Sequence, residues 1–120
     1  KAGNRIILEW IVNGECNHEV VYIVTRNDVL LTDTTNATNN RWAGITAQPY
    51  GSNNTATTPD NAVVRIIDFD SLAVQTTYKL LVRASSATAR TLYLNRTVTS
   101  AGADLNEASL SNGIATEIYN

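Results

Sequence analysis

Cys16 and His18 stand two residues apart, a spacing that puts both side chains on one side of an extended strand. There an imidazole could take the thiol proton and activate a nucleophile. Each is the sole residue of its type in 120. A multi-histidine metal site, a cysteine-rich zinc site and an intramolecular disulfide are therefore all excluded. A working nucleophile also needs a group to orient the base and donors for the oxyanion. The plainer reading is preferred: a free thiol and a polar side chain at a strand entrance.

Asp68 and Asp70 also share a strand face, and the Asp68-Phe69-Asp70 run could offer oxygens to Ca²⁺. A glycosidase would need two carboxyls held at a set separation across a cleft. Asp70-Ser71 leads straight into a connection, so turn formation by these aspartates is the favoured reading. No glycine-rich phosphate loop, Gly-x-Ser-x-Gly or Asp-rich calcium loop occurs, and no metal or other cofactor is expected. The Asn-x-Thr triplets at Asn36, Asn53 and Asn95 arise readily in a chain so rich in Asn and Thr. Asn95 is also expected inside a strand, which makes it a poor acceptor.

Trp42, Tyr50, Asn53 and Asn54 fall in one polar stretch. Exposed aromatic faces beside amide side chains are what a sugar surface uses, stacking on the ring and bonding its hydroxyls. These four are the candidate glycan- or receptor-binding residues. Trp42 also fits a core position, because the residues after it read as a strand.

The elements that would position these residues are strands. Ile6, Leu8, Trp10 and Val12 alternate onto one face, whereas a helix would mix charge into the same stripe. Asn13-Gly14 reads as a turn with positive φ. The run from His18 to Arg26 is rich in β-branched residues, and Asn27-Asp28 should turn it tightly into Val29–Leu31. Thr32 to Asn61 is a long polar stretch, with a short strand expected at Arg41 to Ala47. Strands follow at Ala62 to Phe69 and Thr77 to Ala84. A hairpin at Ser85-Ser86-Ala87 then leads into Arg90 to Thr97, and a last strand lies near Ser109 to Tyr119.

At 13.0 kDa the chain fits a single domain, residues 1–120. Seven or eight short strands without a helix predict an all-β antiparallel sandwich, jelly roll or barrel. Net charge is only -2 with no basic stripe, which argues against nucleic acid as a partner. No apolar run approaches the length of a membrane span, so membrane insertion is not expected. Several strands, notably Val20 to Val24, Val63 to Phe69 and Tyr78 to Val82, are apolar on both faces. One face of an isolated antiparallel sheet is normally solvated, so cover from a threefold partner is expected, with cover by the long Thr32 to Asn61 loop as the alternative.

Five segments carry a resemblance: Arg5-Ile-Ile-Leu-Glu-Trp-Ile-Val-Asn-Gly14, Val24-Thr-Arg-Asn-Asp-Val-Leu-Leu31, Asp68-Phe-Asp-Ser71 with Thr77-Tyr-Lys-Leu-Leu-Val-Arg83, Tyr93-Leu-Asn-Arg-Thr97, and Ser111 to Tyr119. Their order is similar to that in C-terminal domains of bacteriophage tail-fibre, needle-knob and head-fibre proteins of the marine and cyanophage type. The resemblance spans nearly the whole chain apart from an expanded Thr32 to Asn61 loop. It implies a jelly-roll fold like that of tumour necrosis factor and C1q, a homotrimer, and a place on the virion surface. It also implies a non-enzymatic role in host attachment through a surface glycan or protein, and no shared active site. The chain opens at what would be an inner strand, so an upstream strand is expected. The alternatives are a monomeric carbohydrate-binding module and, behind it, a glycan hydrolase using Asp68.

Overall fold

In a computed structural model, residues 3–31, 44–49, 59–70, 73–97 and 108–119 are described. Among them there are eight strands and no helix. The strands are β1 (Arg5–Cys16), β2 (Val20–Arg26), β3 (Val29–Leu30), β4 (Thr46–Gln48), β5 (Asp60–Asp68), β6 (Tyr78–Ala84), β7 (Leu92–Leu94) and β8 (Asn112–Ile118). They form two antiparallel sheets in a sandwich-like arrangement.

Each sheet is three ribbons wide. In the first, β1 is the centre, with β5 along one flank; β8 and then β7 lie end to end along the other. In the second, β2 is the centre, with β6 on one flank and β3 and β4 sharing the other. Pleat period fixes which residues meet between the layers. Leu8 and Val12 of β1, Val20, Tyr22 and Val24 of β2, and Ala62 and Val64 of β5 form the core. Ile6, Trp10, Ile66 and Leu80 pack on its margin. The alternation read from Ile6, Leu8, Trp10 and Val12 is the one observed.

Two polar clamps cross the sandwich at opposite ends. At one, Tyr22 Oη donates to Gln48 Oε1, and Gln48 Nε2 donates to the Gly14 carbonyl at 2.7 Å. At the other, Arg26 of β2 reaches Asp68 of β5. These pairings satisfy buried polar groups that would otherwise be costly.

The β2–β3 hairpin turns at Asn27 and Asp28, with φ of 49° and 67°, as two residues that tolerate the left-handed region allow. Asn13-Gly14 is different: it is not a turn, and β1 runs on to Cys16. Gly14 is needed for close approach, since a Cβ there would sit 2.8 Å from the Tyr93 carbonyl oxygen of β7. The expected hairpin at Ser85–Ala87 is also absent. β6 pairs in the second sheet and β7 in the first, so the segment between them crosses between layers. The strand expected at Arg41 to Ala47 is described only as Thr46–Gln48, and residues 41–43 lie outside the described residues. β7 is shorter than the expected run to Thr97 because Asn95 takes φ 63° and ends it.

Asn95 belongs to the junction where β7 hands over to β8 along β1. Its backbone N donates to Asn13 O (2.8 Å), and its Oδ1 accepts from Ser111 N (2.7 Å) and Ser111 Oγ (2.6 Å). Asn13 N donates to Ser111 Oγ (2.9 Å), and Asn61 Nδ2 donates to Asn13 Oδ1 (3.0 Å). Asn95 is thus a turn residue and not the strand residue expected. Its amide is structural, and the Thr97 of its triplet is buried.

Candidate functional site

The four candidate binding residues, Trp42, Tyr50, Asn53 and Asn54, lie outside the described residues. The other candidate chemistries fall on described ones. Cys16 ends β1 with its side chain in the core, whereas His18 lies in the turn before β2, its Nδ1 2.9 Å from Glu19 Oε2. One strand face does not present the two together.

Asp68 is buried at the end of β5, its side chain only 3% exposed. Its Oδ1 accepts the Asp70 backbone N–H at 3.0 Å, the Asx turn favoured from sequence. Arg26 Nη1 donates to Oδ1 and Oδ2 at 2.9 and 3.0 Å, and Tyr78 Oη donates to Oδ2 at 2.7 Å. Arg26 Nη1 also donates to the Asp70 carbonyl. Burial alone would push this carboxyl up; the Tyr78 and Asp70 hydrogen bonds, with Arg26 and its charge, outweigh it and hold the group below the ordinary aspartate range. Burial, then the hydrogen bond to Asp68 and its charge, pushes the Tyr78 phenol up to about 12. A carboxylate so fully engaged is an inter-sheet anchor. No cluster of three or more His, Cys, Asp or Glu placed to hold a metal occurs among the described residues, and no helix there is long and apolar enough to cross a membrane.

The surface that stands out is the outer face of the first sheet. The register of β1 with β5 and β8 sets three rows across it: Ile67–Ile7–Thr116, Arg65–Glu9–Ile114, and Val63–Ile11–Asn112. Arg5 opposes Ile118, and its guanidinium lies 5.5 Å from the centre of the Phe69 ring. Val63 is 53% exposed, Phe69 60% and Ile114 62%, with Ile67 and Ile118 also exposed. Within these rows, among the described residues, charge is confined to Arg5 at one end and the Arg65–Glu9 pair, Nε to Oε2 at 3.6 Å, in the middle row, while Glu15 and Arg96, the latter stacked on Tyr93, lie beyond them at the β7 end.

The second sheet differs. Outward-facing Val21 of β2 is 8% exposed and Thr25 is buried, while β6 turns Lys79 and Arg83 outward around Leu81. Of the three strands read as apolar on both faces, the β5 segment leaves the most apolar surface uncovered. The Arg5–Phe69 and Arg65–Glu9 contacts were missed from sequence, because they depend on which strand lies beside which. The chain matches no protein-family model, and neither a curated protein nor a solved structure matches it.

Proposed function

We propose that the chain is a non-enzymatic structural domain that assembles through the outer face of its first sheet. The observation that carries this reading is that face itself: a broad apolar surface with exposed Val63, Ile67, Phe69, Ile114 and Ile118 around one ion pair. Contiguous apolar surface of this kind marks interaction sites on soluble proteins. The resemblance supplies the rest of the reading: a jelly-roll topology, a threefold partner, and a place at the tip of a phage fibre, needle or capsid projection. In that setting the polar stretch holding Trp42, Tyr50, Asn53 and Asn54 contacts a host-surface glycan or protein. Threefold presentation makes individually weak contacts effective together.

Sedimentation equilibrium tests the assembly. A trimer has three times the 13.0 kDa chain mass. Ile114→Glu and Val63→Glu place charge on the face at solvent-exposed positions, so both variants should fold, as checked by circular dichroism, and dissociate. A wild-type chain that stays at single-chain mass up to roughly 100 μM, well above the micromolar range of ordinary association, refutes the proposal.

A further inference from the structure

The layers are open along one side, between β6 of the second sheet and the β7–β8 flank of the first. The opening is a cleft of about 660 Å³, within the roughly 300–1,000 Å³ of small-molecule sites. Trp10, Tyr22, Leu80, Val82, Leu92 and Leu94 give it walls of carbon. The Trp10 indole that lines it lies over its cross-strand neighbour Gly113, where a Cβ would sit 2.5 Å from Trp10 Cδ1. Two of the polar groups lining it are already engaged. Tyr22 Oη is bonded to Gln48 and Ser111 Oγ to Asn95, so neither offers its proton to a guest.

At the mouth the character changes. A second hollow of about 180 Å³ is lined by Asn17, Ala89, Arg90, Thr91 and Tyr93, and it shares Arg90 and Thr91 with the cleft. Arg90 is the one formally charged side chain among the described residues lining either space. Among all the described residues its hydrogen bond is Nε to Ser86 Oγ at 3.2 Å, which leaves the two terminal amino groups of the guanidinium for another acceptor.

We propose that this cleft binds a single-tailed anionic amphiphile. The alkyl chain lies between the sheets against Trp10, Leu80 and Val82, and the anionic head sits at Arg90 over the hollow of Asn17, Thr91 and Tyr93. Apolar walls ending at one cation match that chemistry. A sugar would set most of its hydroxyls against apolar walls, and a cationic head would meet Arg90. The site lies apart from the outer face of the first sheet, so it stands or falls independently of the assembly.

The test uses the full chain carrying Trp42→Phe, which leaves Trp10 as the sole indole, titrated with dodecanoate and with dodecyltrimethylammonium below their micellar concentrations. Dodecanoate should bind one per chain and shift the Trp10 emission, about tenfold or more tighter than the cation, as a charge-assisted hydrogen bond provides. Arg90→Gln, an exposed change, should cost dodecanoate about the same factor and leave the cation bound as tightly or more so. Leu94→Trp, at a half-exposed wall position, should fill the cleft and weaken both, and circular dichroism checks its fold. Equal affinity for the two heads, an unaffected Arg90→Gln, or no binding of either probe overturns the proposal. So does sedimentation showing that the cleft becomes available only on dissociation, because the occupant would then be a second copy of the chain.

Discussion

Replacing Asp68 with alanine removes four acceptor contacts at once: two from Arg26 Nη1, one from Tyr78 Oη and one from the Asp70 N–H. The Arg26 guanidinium would then lie beside the core without its counter-ion, and breaking one side of such a pair costs about 3–5 kcal/mol. The Arg26 side chain is 22% exposed and can partly rehydrate, which places the expected loss near the lower bound, about 3 kcal/mol. That is a large share of the roughly 5–15 kcal/mol typical of a domain. Urea unfolding followed by tryptophan emission should show the midpoint fall by roughly 1–3 M at the usual slopes. A double-mutant cycle with Arg26→Met isolates the pair, with an expected coupling of about 1–3 kcal/mol. Acid adds a signature. The carboxyl is held below its ordinary value, so its contribution is complete above the unfolded pKa of about 3.9 and is lost as pH falls through the lower folded value. Asp68→Asn should flatten that acid limb. A loss under about 1 kcal/mol with no coupling would refute the clamp, being what a well-exposed ion pair gives.

The alkaline side is set by tyrosines. Burial, with Cys16 and Asp60 beside it, pushes the Tyr22 phenol up to about 12, so its contribution is intact below about pH 10 and is lost as pH climbs through the folded value. A pH-jump unfolding curve should therefore break between pH 10 and 12, and Tyr22→Phe should weaken the break while costing about 1–3 kcal/mol for the unpaired Gln48 oxygen. Gly113→Val should cost about 1–3 kcal/mol by displacing the Trp10 indole, read as a shifted emission maximum and a lower thermal midpoint; an unchanged spectrum would contradict the packing. Asn27→Ala, at φ 49°, should cost about 1–2 kcal/mol in denaturant unfolding, whereas Asn27→Gly should cost less although both lose the Thr77 N–H acceptor.

Local signals in the sequence proved the legible ones. Period-two alternation gave the inward face of β1, and Asn27-Asp28 gave the hairpin, because both depend on neighbouring residues alone. Misreadings arose where long-range pairing decides. Asn13-Gly14 has turn chemistry, yet here the missing Cβ serves the approach of β7 from about eighty residues away. Ser85–Ala87 has hairpin composition, but β6 and β7 find partners in different sheets. The apolar outer face was foreshadowed by Val63 to Phe69, and the same pattern at Val20 to Val24 gave a covered Val21, since cover depends on what lies above a strand. Cys16 and His18 share a parity without a shared strand. The proposed glycan residues Trp42, Tyr50, Asn53 and Asn54 lie outside the described residues and gain no geometry.

β1 pairs with β8 across more than a hundred residues of chain, Arg5 opposite Ile118. A ribosome adding roughly 5–20 residues per second emits β1 some 5–20 s before β8. For that interval the β8-side edge of the central strand has no mate, and its amides and carbonyls are an open template. The nascent chain must therefore be shielded or diluted while it waits. Expression temperature and chaperone supply then bear on how much of this protein is recovered intact.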